Sequence, residues 1–236
     1  MRHAHTRLEA VAKVTGRATY TSDVRAAGLL EAAIVRSAVP HARVRPIDVD
    51  AARALPGVVA VLTHADLADL TWYEEQSPIL TDVARFVGDE LAVVAADSTA
   101  ALERAVAALR VDGEPREHVT DHVAAAEPGA PIVHDGFETN VVGETERYER
   151  GDVDVALADA AHVVVGTFTT PAQVHHPLEP HGAVVSWDGR TLTAYVSTQS
   201  VHDVRDGLAE TLGLPTNRGR VITEHMGGGF GAKQIV

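Results

Sequence analysis

The chain has 236 residues, 45% hydrophobic and 22% charged, enough for one large domain or two smaller ones with a real apolar core. A formal net charge of −13 argues against binding to nucleic acid or to anionic lipid, since both need a basic face. Cysteine is absent, which excludes disulfides, iron–sulfur clusters, thiolate zinc sites and cysteine nucleophiles from this chain.

The start, Met1 to Arg7, leads into no apolar stretch of signal-peptide type, and no apolar run of about 18 residues occurs. The expected location is therefore the cytoplasm, with no membrane partner. Leu29 to Val35 predicts a strand, and Asp48 to Leu55 a short helix stopped by Pro56-Gly57. Val58 to Leu62 predicts a buried strand, with Thr63 placed to cap the next segment. Another apolar strand spans Leu91 to Ala96. Asp97-Ser98 then open a helix whose Leu102, Ala105, Val106 and Leu109 share one face. The Trp72-Tyr73 pair and the few other aromatics (4% of the chain) are too sparse for a base-stacking platform.

Residues 112–150 are rich in Glu, Asp, Pro and Gly and lack periodicity, as expected of a linker. After Gly151 a helix places Val153, Ala156, Leu157 and Ala160 together, and His162 to Thr170 alternates like a half-buried strand. Gly182 to Ser197 predicts a hairpin with Asp188-Gly189 as a two-residue turn. Ser200 is placed to cap a helix carrying Val201, Val204, Leu208 and Leu212, ended by Gly213 with Pro215 beyond. Arg220 to Thr223 is a short strand. It leads into Met226-Gly227-Gly228-Gly229-Phe230-Gly231-Ala232-Lys233.

Glycines this dense let backbone N–H groups approach a bulky anion without Cβ interference. A tight turn is the alternative reading. Gly227, Gly229 and Ala232 fit the dinucleotide fingerprint on spacing, but that fingerprint needs a following helix, a strand and an acidic residue about 20 positions on. Only four residues follow Ala232, and a nucleotide-hydrolase loop would need other residues at Ala232 and Gln234. His175, His176, Glu179 and His181 contain zinc-ligand chemistry, yet two prolines and adjacent histidines lack the facing of a helical metal site, so no protein-ligated metal is expected. Gln199, between a strand and a helix start, is either a solvated cap or an amide aimed at a ligand. Spacing alone gives no nucleophile, base and orienting group.

Several fragments carry a resemblance. Lys13 to Tyr20, Arg36-Ser37 with Pro40 to Arg43, Ala54 to Val58, and Phe86 to Glu90 are similar to the a/b hammerhead domain of the molybdenum subunit in the xanthine dehydrogenase and aldehyde oxidase family. Pro171 to His181, Ser197-Thr198-Gln199 and Met226 to Lys233 resemble, in order and spacing, the start of its molybdopterin-binding domain. The implied fold class is α+β (mixed α/β), an a/b hammerhead domain followed by the first segment of a molybdopterin-binding domain. The implied layout is an extension over 1–12, the hammerhead over 13–118, a linker over 119–150, and the truncated start of the molybdopterin-binding domain over 151–236.

That resemblance implies oxidation of aldehydes or N-heterocycles with water as the oxygen source. It implies a molybdenum–molybdopterin cofactor, in the cytosine dinucleotide form, with the pterin rather than side chains holding the metal. Gln199 matches the glutamine whose amide meets an oxo ligand of molybdenum. Gly228, Gly229, Phe230 and Gly231 match the loop around the molybdenum end of the cofactor. Gln234 stands where xanthine enzymes carry a substrate-binding glutamate, and a neutral amide there favours aldehyde over purine chemistry. Iron–sulfur clusters and FAD are implied on partner subunits. No catalytic residue is assigned, because the family's glutamate general base is expected beyond the chain end, on sequence or a second chain completing the domain. The chain is thus expected to be inactive alone. A non-catalytic relic or subunit-interaction module of the same fold is the alternative, and a small dinucleotide-binding dehydrogenase is disfavoured by the failed fingerprint.

Overall fold

The computed structural model describes residues 7–72, 78–143 and 146–234; Tyr73, Ile235 and Val236 lie outside the described residues. In chain order the strands are β1 (Glu31–Arg36), β2 (Ala42–Val44), β3 (Val58–Thr63), β4 (Val83–Ala84), β5 (Glu90–Ala96), β6 (Gly113–Pro115), β7 (Ala183–Trp187), β8 (Leu192–Val196) and β9 (Gly219–Ile222). The helices are α1 (Ala10–Val14), α2 (Asp50–Arg53), α3 (His64–Leu67), α4 (Thr99–Ala108), α5 (His122–Ala125), α6 (Val153–Asp159) and α7 (Val201–Thr211). This is the α+β fold expected. The chain divides into two units, Met1–Arg116 with His175–Val236, and Glu117–Val174.

In the first unit β5 runs between β1 and β3, antiparallel to both. Its continuous apolar composition suits a central strand: Leu91, Ala92, Val94 and Ala96 are all buried. Helix α4 begins where Ser98 Oγ accepts the Ala101 N–H at 3.4 Å. It packs Ala101, Leu102 and Ala105 against Val61, Val94 and Ala96, with Ala52 of α2 completing the cluster. Small alanines at the contact bring the helix backbone close to the sheet, and the predicted face is the one buried.

Several local expectations need correction. Strand β1 starts at Glu31, because Leu29 is held in a turn by its N–H to Ala26 O. Helix α2 begins at Asp50 because Asp48 is drawn into a bridge with Arg110, outside the helix. Thr63, by contrast, is the N-cap of α3 as expected, and Asp66 closes a capping box with it, its carboxylate accepting both the Thr63 N–H (2.8 Å) and hydroxyl (3.1 Å). A second small sheet, ordered β4-β2-β6, escaped sequence reading because its strands are two or three residues long, too short for any period to show. It takes Gly113–Pro115 out of the stretch read as linker.

The β7–β8 hairpin turns over four residues rather than two. Trp187 pairs with Leu192, and Asp188 Oδ1 accepts the N–H groups of Arg190 and Thr191. The aspartate side chain thus dictates the wider turn. Helix α7 ends as predicted, with Gly213 at φ +62° and Leu214 N–H closing on Ala209 O. At its start Ser200 holds the cap position, yet its hydroxyl goes to the Asp203 carboxylate, not to a free backbone N–H.

In the second unit, Asp121 caps α5 and Asp152 caps α6. Asn140 knots the intervening loop: its Oδ1 accepts the Val133 N–H, and its Nδ2 donates to Ala125 O and Pro131 O. The predicted strand His162 to Thr170 is absent. The segment has no ladder partner among the described residues, and Val164 and Phe168 are 95% and 94% exposed. Alternation marks a chain suited to a sheet; it cannot supply the neighbouring strand.

Candidate functional site

Strands β8 and β9 are parallel, Leu192 beside Gly219 through Tyr195 beside Ile222, and α7 makes the crossover between them. Parallel neighbours finish at the same end of a sheet, where ligands of α/β folds commonly bind. Ser197-Thr198-Gln199 leaves β8 there, and the glycine-rich loop follows β9. Thr223 Oγ1 donates to Val196 O at 2.6 Å and locks the two exits together. Sheet geometry, not sequence proximity, therefore brings Gln199 to the loop.

One buried carboxylate secures that loop. Glu179 Oε2 accepts the Gly227 N–H at 2.7 Å and the Ser197 hydroxyl at 2.8 Å, and Oε1 accepts the Thr21 N–H at 3.3 Å. Lys233, only 2% exposed, donates from Nζ to Glu179 O (2.7 Å) and Ser197 Oγ (2.6 Å), with Glu179 Oε2 3.4 Å away. Lys233 O in turn accepts the Gln199 N–H and the Thr198 hydroxyl. Burial pushes the Glu179 carboxyl up. The Gly227 N–H, the Ser197 hydroxyl, the Thr21 N–H and the Lys233 charge outweigh it and hold the group below the usual carboxylate range. Sequence reading assigned no role to this pair. The partners stand 54 residues apart, and charge alone does not announce burial.

Gln199 Oε1 accepts the Gly231 N–H at 2.9 Å, which leaves the carboxamide NH2 to donate elsewhere. Gly228 and Gly231 both sit at φ +100°, with Phe230 at +53° between them. A bulky residue in that region is strained by about 1–3 kcal/mol. Phe230 is nevertheless 73% exposed, with no core packing to offset the cost. The N–H groups of Gly228, Gly229 and Phe230 meet no protein acceptor among the described residues. Three successive open amides beside a free carboxamide NH2 form a donor set suited to an anionic group. The glycines have a second use the sequence did not suggest. A Cβ on Gly227 would lie 2.5 Å from Glu179 Cβ, and one on Gly229 would lie 2.7 Å from Gln199 Cδ. At these two positions the missing side chain makes room for protein.

Gln234 is exposed just past Lys233. His181 Nε2 is bonded to Ala232 O at 2.9 Å, so it buttresses the loop, and His176 takes φ +42°. Among the described residues no three His, Asp or Glu side chains are arranged to hold a metal ion. Nor is any helix of those residues long and apolar enough to cross a membrane.

Residues 15–117 match the family model described as the aldehyde oxidase and xanthine dehydrogenase a/b hammerhead domain, and residues 133–236 match that of the molybdopterin cofactor-binding domain. The chain is 33% identical, over 96% of its length, to the nicotinate dehydrogenase large molybdopterin subunit of Eubacterium barkeri, and covers 54% of that protein. The structure of quinoline 2-oxidoreductase from Pseudomonas putida 86 superposes with a TM-score of 0.86 at 36% identity, over 96% of this chain and 30% of that one. Aldehyde oxidoreductase from Desulfovibrio gigas gives 0.85 at 32%, over 96% and 27%. The chain thus spans between about a quarter and a half of the length of these proteins. With both domain types matched in order, the chain belongs to the xanthine dehydrogenase and aldehyde oxidase family of molybdopterin-binding large subunits.

Proposed function

We propose that this chain supplies one wall of the molybdenum–molybdopterin site of a hydroxylase acting on an aldehyde or an N-heterocycle. The observation that carries the reading is the donor set: the Gly228, Gly229 and Phe230 amides and the Gln199 carboxamide NH2, presented together at the shared end of β8 and β9. The residues fit the group, since an anionic cofactor needs hydrogen-bond donors and an absence of side chains in their way. When bound, the cofactor supplies oxidation of a substrate carbon with oxygen taken from water.

Gln199 orients its NH2 toward a cofactor oxygen because Gly231 occupies its carbonyl. Gly228, Gly229, Phe230 and Gly231 form the cradle, and Phe230 covers the reacting region with an apolar face. Gln234 faces substrate as a neutral hydrogen-bonding group, which fits an aldehyde better than a purine. Proton abstraction needs a base, and Glu179 is unsuited to it: four donors hold it as a buried anion. This reading assigns the base to none of these residues but to a completing polypeptide, and holds the chain by itself to be inactive. The reading extends to a cytosine dinucleotide form of the cofactor, to partner subunits carrying iron–sulfur clusters and FAD, and to the cytoplasm.

The test is Gln199→Ala in the chain joined to the polypeptide that completes its domain. Loss of one hydrogen bond to a charged group, about 1–3 kcal/mol, lowers substrate-dependent dye reduction roughly 5- to 150-fold while molybdenum content is kept. Unchanged turnover removes Gln199 from the site.

A further inference from the structure

We propose that Glu179 is the positioning residue of the glycine-rich loop: one carboxylate, acting with Lys233 and Ser197, fixes both ends of the loop and so holds the Gly231 N–H against Gln199. The proposal rests on the reading of this loop as a cofactor cradle, but it concerns how the cradle keeps its shape.

Gly227 opens the loop and Lys233 closes it, and both bind Glu179. Between them lie three residues at positive φ, three amides without a protein acceptor, and an exposed phenylalanine. Little within that stretch favours the observed conformation over others. Fixing both ends restricts the chain between them and lowers the entropy lost when the tip is ordered. The anchor also reaches Gln199 by a second route, since Lys233 O accepts the Gln199 N–H at 2.8 Å. Gln199 and its Gly231 partner are therefore set from the same buried point.

The chemistry at position 179 is restrictive. Thr21 N–H, Gly227 N–H, the Ser197 hydroxyl and the Lys233 ammonium all point donors at a group that must accept only. A glutamine of the same shape would turn an NH2 against one of them and leave the Lys233 charge unmatched in a buried place. The double variant Glu179→Gln/Lys233→Met removes that charge, so no unmatched charge is left buried while the pin at residue 233 is lost.

Amide hydrogen exchange, followed residue by residue in isotope-labelled protein, reads the effect. Glu179→Gln and the double variant are expected to speed exchange at Gly231 at least tenfold, with the amides of Val94 and Ala105 in the hammerhead core unchanged. Ser197→Ala, which keeps both charges, is expected to give at least threefold, and Ser197→Thr to restore the parent rate. Should the double variant fail to fold, Ser197→Ala decides the matter. Gly231 exchange within twofold of the parent, in a folded double variant or in Ser197→Ala, overturns the proposal. Molybdenum uptake with the completing polypeptide separates the two readings. A chain with a protected Gly231 that never takes up molybdenum sinks the cofactor reading and leaves the positioning role intact. Full uptake by the parent, together with Gly231 exchange unchanged in a folded double variant, sinks the positioning role alone.

Discussion

Gly229 and Gln199 are fitted to each other: the space a Cβ would take at 229 is filled by the Gln199 side chain, whose Oε1 is then free to accept the Gly231 N–H. The glycine serves the glutamine before it serves any ligand. Gly229→Ala should therefore cost little stability, less than about 1 kcal/mol, because an exposed glutamine can swing aside. The Gly231–Gln199 bond should nevertheless be lost. A crystal structure of the variant with Gln199 unmoved would contradict this.

Gly231→Ala tests a different cost. Here the Cβ has room, with His175 Nε2 3.6 Å away, but φ of +100° disfavours any L side chain. A loss of about 1–2 kcal/mol in urea unfolding is expected, with Gln199 left in place.

Acid should weaken the protein partly through Glu179. Its folded pKa is depressed, so the unfolded chain binds the proton more readily. The stabilisation is therefore complete above the ordinary carboxylate range and lost as pH falls through that range toward the folded value. Half-buried Asp89 is shifted up, chiefly by its partial desolvation, and contributes the opposite slope as pH rises. Urea midpoints between about pH 7 and pH 3.5 should fall more steeply in the parent than in Glu179→Gln, and parallel curves would contradict the assignment.

Core and loop should fail separately. Leu91 is 1% exposed on the central strand, and Leu91→Ala should cost about 2–5 kcal/mol in global unfolding. Asn140→Ala removes three hydrogen bonds within residues 117–174. Limited proteolysis should then cut that unit faster, with the thermal midpoint of the first unit within about 2 °C of the parent.

Sequence reading found what is periodic or locally signalled. The buried face of α4, the Gly213 stop of α7 and the apolar run of β5 each carry their evidence within a dozen residues. It missed what depends on distant partners. Strand β6 exists because Arg43 and Val44 offer a ladder to Glu114 and Gly113, and nothing within Gly113–Pro115 says so. The segment 162–170 has the opposite fate, a strand pattern with no ladder to join. At the site, the glycines and Gln199 were visible as chemistry. The Glu179–Lys233 anchor was not, since its meaning lies in burial and in a contact across 54 residues.

The parallel pairing of β8 and β9 has a practical consequence for anyone altering this protein. What the two exits share is set by their ladder and by Thr223 on Val196, while α7 and the turn after it serve as a tether closed on itself by Gly213. Residues added to or removed from the turn at 213–216 should pass unnoticed at the cradle. Slipping β9 by one residue would reverse which side chains face inward, swing Thr223 off Val196 and carry the glycines away from their glutamine.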